Sequence, residues 1–492
     1  MREKLKQLAN DSIIYGISSV VTRFLSFILT PLYSNFLSTS QFDYLIYIFS
    51  FTTLLSVVYS LGMETTYLRY YEKNNLETSK KAFTYAYASI NVFSLLITIL
   101  IIVFSEQIIQ ITPYYSQIGA KDILILAAFI PFIDVLTYIP FNYLRIANKA
   151  LMLSIIRLVS SIASLGLHYY LIVNLSYQAE GAIWSQIGAN SISFLILIPL
   201  IINNLTGIFD KDLFKSMLRY AVGLLPGLIS LALLQVIDKP LIKYITNNEL
   251  SITNYQVNLR LAVPMLIFVS IFDFAYQPFF IKHSSESDSK SMFGRVLTYY
   301  ILASSFLFLI ISFFMRYFAI MPVFDGNIIN SKYWDGLSMI PIILLAYFFY
   351  GLYVNFSIGS IVEKKTLYNS IVLISGVITN FAANLILVPL FDFYGAAYSL
   401  LISYIVVSCL MYILNRKIFP IEFEFRNIIK IVLITLFAYS VPFVFDIFVD
   451  SMILSIFVKV FSISLMVFFY VYFDVVKSGE LKSLSKILFF KK

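Results

Sequence analysis

The sequence predicts an all-α integral membrane protein of about fourteen transmembrane helices, built as two pseudo-symmetric six-helix lobes plus a final helix pair, with both termini cytoplasmic. Three observations predict it. Of 492 residues, 60% are hydrophobic and 13% charged, and the apolar runs repeatedly exceed the roughly 18 residues a bilayer-spanning helix needs. The plan of the first half of the chain recurs in the second. The cations, finally, alternate from loop to loop. A β-barrel would show segments of about ten residues with alternating polarity, whereas residues 90–104 and 431–445 are apolar on every face.

In chain order, the basic start (Arg2, Lys4, Lys6) precedes an apolar run too long for a signal peptide and without a small-x-small cleavage site, so it reads as a retained first helix. Hydropathy places spans at 12–37, 42–63, 82–104, 121–142, 151–174, 180–202, 217–237, 257–281, 296–318, 337–362, 367–389, 395–415, 427–445 and 452–473. With the amino terminus inside, the inner segments carry Arg69, Lys73, Lys80 and Lys81, then Arg145 and Lys149, then Lys211, Lys215 and Arg219, and so on to Lys491 and Lys492. The outer segments carry Lys121, Lys239, Lys243, Arg316 and Lys332. This is the positive-inside pattern, so the net charge of +8 reports topology rather than nucleic-acid binding. Pro131, Pro140, Pro226, Pro264 and Pro341 fall in spans as candidate bending points.

The duplication is read from Pro31 and Pro240, Tyr44 and Tyr255, and Gly181-Ala182 and Gly395-Ala396, each pair about 210 residues apart, far longer than a solenoid unit. In the first two pairs, an apolar helix is expected to end in the Pro and the next to open at the Tyr. The expected division is an N-terminal lobe at 1–207, a C-terminal lobe at 208–420, and the last helices with a basic tail at 421–492. An even number of helices per repeat leaves the two lobes in the same orientation.

Cys409 is the single cysteine, which excludes an intramolecular disulfide and a cysteine metal site, and His168 and His283 are too few for a metal centre or a hydrolytic triad. The longest outer segment, 238–256, is expected to be loop and holds only Asp238 and Glu249 as acids. Paired carboxylates, a nucleophile elbow and a phosphate-cradling glycine loop are all missing from the sequence. The expectation is a non-enzyme with no metal.

Charges inside spans then carry the functional reading. Arg23 lies near the middle of the first span, where an unpaired charge costs at least about 2.5–3.5 kcal/mol. Asp134 lies at similar depth and Asp273 deep in span 8, so an Arg23–Asp134 ion pair and a substrate-facing Arg23 stand as alternatives. Arg260 is near the outer end of its span. Arg157 and Lys459 are about two turns from a helix end, close enough to reach the headgroups by snorkelling.

Several stretches carry a resemblance: RYAVGLLPG (219–227), IDKPLIKYI (237–245), YQVNLRLA (255–262), YQPFF (276–280), KYWDGLSMIPIILLAYFFYGLYVNFSI (332–358) and GVITNFAANLILVPLFDFYGAAYSLLISY (376–404). They resemble bacterial O-antigen and exopolysaccharide repeat-unit flippases of the multidrug/oligosaccharidyl-lipid/polysaccharide exporter superfamily. The likeness covers most of the chain, in helix order and spacing more than in any short signature. It implies transfer of an undecaprenyl-diphosphate-linked oligosaccharide from the cytoplasmic to the outer leaflet of the bacterial cytoplasmic membrane by alternating access. Arg23 and Arg260 would face the diphosphate, and Asp134 and Asp273 would be further substrate-facing charges. The partners implied are the bilayer, a polysaccharide polymerase and glycosyltransferases, and no nucleic acid. No cofactor is implied beyond a sodium or proton gradient for coupling.

Among relatives, TRFLSF (22–27) and Arg260-Leu261 are similar to cavity-arginine stretches of lipid II flippases. The chain departs from those at Leu29 and in having no cation in span 2, which favours a repeat unit of different chemistry. Asp238, Asn380 and Asn384 resemble a sodium site of such relatives, with interhelical hydrogen bonding as the other reading. The remaining alternatives are a cation-coupled multidrug exporter of the same superfamily and a membrane-embedded glycan polymerase or glycosyltransferase.

Overall fold

In the computed structural model, residues 27–475 are described, except 73–74, 118, 285, 287–288, 324–325, 364, 366 and 448–450. The expected first span and Arg23 therefore lie mostly or wholly outside the described residues; its described end is α1, at 27–36. Helices α2 (Thr39–Ser60) and α3 (Met63–Tyr70) follow, then α4 (Leu76–Val103), α5 (Ser105–Gln110), α6 (Ala120–Ile146), α7 (Ala150–His168) and α8 (Gln178–Asn204). Next come α9 (Lys211–Val236), α10 (Asp238–Thr246), α11 (Glu249–Leu261), α12 (Val263–His283) and α13 (Ser289–Ala319). A two-stranded hairpin, β1 (Pro322–Val323) and β2 (Gly326–Asn327), and a 3₁₀ turn lead into α14 (Ile340–Val362). The chain ends in α15 (Leu367–Phe391), α16 (Phe393–Ile418), α17 (Phe425–Phe445) and α18 (Met452–Tyr472).

Twelve described helices or continuous helix pairs are long and apolar enough to cross a membrane, and α11 with α12 makes a thirteenth if the pair is one span. These match, in order, the expected spans after 12–37. Several edges differ for local reasons. The expected span 42–63 runs on to Tyr70 after a break at Leu61 and Gly62, both in the left-handed region (φ 51° and 69°). A β-carbon on Gly62 would lie 2.9 Å from the Ala221 carbonyl oxygen of α9, so glycine alone fits this crossing. The expected outer loop 238–256 is helical, as α10 and most of α11. Neither proline of the repeated plan ends a helix. Pro31 lies within α1, and Pro240 sits in the first turn of α10, where a missing N–H breaks no helical hydrogen bond. Pro264 sits in the first turn of α12, beside the break where α11 and α12 bend by 48°, so a bend does fall at this expected point; Pro131 and Pro140 are inside α6 and Pro226 is inside α9.

Contacts group the chain into two units. The first comprises residues 1–260, 322–339 and 366–407. Its core packs Tyr59, Met63 and Tyr67 against Phe83, Val135, Ile139 and Met217. The second comprises 261–321, 340–365 and 408–492. There, Tyr276, Phe280, Phe293, Ile358 and Phe419 form an aromatic cluster, and α17 and α18 dock on α13. Large apolar side chains such as Ile453, Phe457 and Phe461 on α18 are exposed, as expected of surface that lies against hydrocarbon.

Candidate functional site

Three helices of the first unit each carry a polar stripe at helical spacing. On α6 it is Asp134, Thr137, Tyr138 and Asn142; on α7, Arg157, Ser160, Ser161 and Ser164; on α8, Gln186, Asn190 and Ser193. Residues three, four and seven apart share a helix face, and such groups facing lipid would each be costly. All three stripes turn to one cavity of about 320 Å³, which Glu64 of α3 and Leu29 of α1 also line. The Gly62 break aims Glu64 there by setting off α3 as a separate short helix, with Glu64 in its positively polarised first turn.

Inside the cavity the Tyr138 hydroxyl donates to Asp134 Oδ2 at 2.8 Å, and Asn142 Nδ2 donates to Glu64 Oε2 at 3.4 Å. Gln186 Nε2 donates to Asn190 Oδ1 at 3.0 Å, while Asn190 Nδ2, although the residue is 9% exposed, has no partner. The Arg157 guanidinium lies 5.1 Å from the Phe141 ring centre. Among the described residues it makes no salt bridge with either carboxylate, though it acts on both through space. Arg157 thus lines the cavity, on a residue that is exposed overall.

A second constellation, fully buried, joins α10, α11 and α15. Tyr255 OH donates to Asp238 Oδ2 at 2.8 Å, and Asn384 Nδ2 donates to Asp238 Oδ1 at 3.0 Å and to Asn380 Oδ1 at 2.9 Å. Asn384 Oδ1 and Asn380 Nδ2 are left without partners. The structure therefore brings Asp238, Asn380 and Asn384 into direct contact. Among the described residues no group of three or more His, Cys, Asp or Glu side chains is placed to hold a metal.

Arg260 is half-buried near the end of α11, 5.9 Å from the Tyr33 ring centre. Its charge acts on Lys239, which is 7% exposed and donates to the Gln235 carbonyl at 2.8 Å. Burial, with Arg260 adding to it against the attraction of Asp238, pushes the Lys239 ammonium down to about 8. Asp273 belongs to the second unit, where its charge acts on Tyr353. Lys459, also in that unit, reaches toward the helix ends as expected: its ammonium is 3.1 Å from Asp446, which caps the end of α17, and donates to Tyr317 and to Ser455 in the first turn of α18. Arg23 lies outside the described residues, so the Arg23–Asp134 pairing stays an expectation.

Glu64 and Asn190 went unread in the sequence. The expected span stopped one residue before Glu64, and Asn190 has no charge to draw the eye; the signal was the three-and-four spacing of hydroxyls and amides.

This helical plan, with a charged cavity inside an apolar bundle, is the fold of multi-pass membrane transporters. It is similar to a structure described as lipid II flippase MurJ in an inward closed conformation, with TM-score 0.74, 18% identity, and coverage of 93% of this chain and 99% of that one. It is also similar to an inward-facing multidrug resistance MATE transporter of the MOP superfamily (TM-score 0.61, 12% identity, 80% and 94% covered). A MOP superfamily transporter from Pyrococcus furiosus gives TM-score 0.58 and 13% identity over 84% of this chain and 95% of that chain. No curated protein sequence matches. Residues 8–282 match the family model of polysaccharide biosynthesis proteins, and the chain belongs to that family.

Proposed function

We propose that this protein carries an undecaprenyl-diphosphate-linked oligosaccharide from the cytoplasmic to the outer leaflet of the bacterial cytoplasmic membrane, by alternating access of two lobes. The observation that carries the reading is the pair formed by the buried cation Lys239 and the half-buried cation Arg260, close enough for their like charges to oppose one another. A bound diphosphate relieves that opposition and gains charge-assisted hydrogen bonds, while the prenyl tail stays in lipid. Arg23, Asp134 and Asp273 complete the proposed substrate-facing set. Family membership supports a glycan as cargo.

Asp238, Asn380 and Asn384 are proposed to hold a coupling cation such as sodium. A half-turn of the Asn384 amide would present its partnerless oxygen beside Asp238 and Asn380 Oδ1, adding to a set of hard oxygen donors of the kind alkali and alkaline-earth cations take. A polysaccharide polymerase and glycosyltransferases are the proposed partners.

The test is to delete the gene and extract the lipid-linked glycans, probing their sidedness in inverted and right-side-out vesicles. Accumulation of one such glycan on the cytoplasmic face, reversed by the intact gene and not by Arg260→Ala, is expected. Unchanged sidedness would end the flippase reading.

A further inference from the structure

The cavity of α3, α6, α7 and α8 is unsatisfied in two opposite senses. Its donors lack acceptors within the protein: Asn190 Nδ2 is buried without a partner, and the Arg157 guanidinium, on a residue that is exposed overall, meets the Phe141 ring but forms no salt bridge among the described residues. Its acceptors are only partly served, since Glu64 and Asp134 each receive one neutral donor, although an ionised carboxylate has about four lone-pair sites. For the buried Asn190 amide an unmade hydrogen bond costs about 1–3 kcal/mol, while the exposed Arg157 meets whatever fills the cavity.

Each simple ligand class answers half of this. A proton or a metal cation would serve the two carboxylates, leave the buried Asn190 amide with nothing to bond and give Arg157 no acceptor. A phosphate or other anion would serve those donors and be repelled by Glu64 and Asp134. A ligand with donors and acceptors on the same atoms serves both, and hydroxyl groups have that property. Vicinal hydroxyls on a ring also match the spacing of the two nitrogens of a guanidinium or the two oxygens of a carboxylate, which water does not hold rigidly. The volume of about 320 Å³ is that of a small-molecule site.

We propose that this cavity is a saccharide subsite, in which Arg157 and Asn190 donate to the hydroxyl and ring oxygens of one sugar residue while Glu64 and Asp134 accept from its hydroxyls. The sugar comes either from the lipid-linked oligosaccharide, which rests on the flippase reading above, or from a free saccharide. In the first case Lys239 and Arg260 meet the diphosphate, and the cavity reads the glycan.

The experiment places photoreactive benzoyl-phenylalanine at Ser161, inside the cavity, or at Val263, three residues from Arg260, in the full-length chain in its own cells. Adducts are identified by mass spectrometry after irradiation. Expected is an adduct at Ser161 that carries sugar and the prenyl diphosphate. Its yield should fall at least tenfold in Arg157→Leu and in the milder Asn190→Ser, with yield at Val263 kept within twofold and the melting temperature of purified protein unchanged in Asn190→Ser. Sugar without prenyl lipid at Ser161 also supports the subsite and assigns the free source. Lipid-linked glycan at Val263 with no sugar at Ser161 overturns the subsite and leaves the flippase reading standing. Sugar at Ser161 that survives both substitutions overturns the assigned contacts, and no adduct at either position in cells that export the glycan overturns both readings.

Discussion

Lys243 of α10 donates to Asp43 Oδ2 of α2 at 2.5 Å, an ion pair with side-chain exposures of 5% and 0%. The hydroxyl of Tyr114 donates to the other carboxylate oxygen at 2.8 Å, and its ring centre lies 4.9 Å from the ammonium. A residue that hydropathy places just inside a span, Asp43, and one that it places in an outer segment, Lys243, thus form a buried charge pair, which ties α2 to α10 inside the first unit.

Removing one partner of such a pair strands the other charge, at a cost of about 3–5 kcal/mol, whereas replacing both by apolar or neutral groups is often nearly neutral. Asp43→Asn is therefore expected to lower the melting temperature of the purified protein sharply, and Asp43→Asn with Lys243→Met to recover most of the loss. A double variant as unstable as the sum of the two single ones would show that the pair does not act as a unit.

Lys239 sets a pH dependence. Its ammonium is charged below about 8 and neutral above, so affinity for undecaprenyl diphosphate is expected to fall as pH rises through that value, and Lys239→Arg to flatten the fall, since arginine stays charged. The stability of the ligand-free protein should change in the opposite sense. Between about 8 and the ordinary lysine value the unfolded chain holds a proton that the folded one has lost, so stability rises with pH across that window. A binding profile identical in wild type and Lys239→Arg would remove Lys239 from the diphosphate site.

The repeated glycines are not equivalent. A β-carbon at Gly395 would press on the backbone carbonyl of Leu387, which has no way to yield, whereas at Gly181 it would meet side-chain carbons of Tyr177 and Leu171 at 3.0 and 3.3 Å. Overpacking costs about 1–3 kcal/mol where neighbours can shift. Gly181→Ala should fall in that range and Gly395→Ala beyond it, measured as melting temperature or folded yield in membranes. Equal effects would mean that the α15–α16 corner is more compliant than its geometry implies.

Helix number, order and apolar length were legible in the sequence because each is a property of one segment at a time: a helix either has enough hydrocarbon to span a bilayer or does not. The family resemblance was legible in the same way, since it rests on the order of such segments. The contact among Asp238, Asn380 and Asn384 was legible from the resemblance and a one-turn spacing. The breaks were not. Leu61-Gly62 looks like the end of a span, yet α3 continues past it, and Pro240 looks like a stop although it begins a helix. Whether a proline ends a helix or opens one depends on which backbone N–H it removes, and that depends on what the neighbouring turns pack against.

What the sequence by itself determined is therefore a polytopic helical membrane protein with charges at depth, because transfer from water to hydrocarbon is decided residue by residue. Which charges meet was decided by tertiary structure alone. The rotation of α6, α7 and α8 about their own axes sends Asp134, Arg157 and Asn190 into one cavity, and the crossing at Gly62 brings Glu64 to its wall. A helix's axial rotation is set by the packing of all its neighbours at once, so no single stretch of sequence contains it.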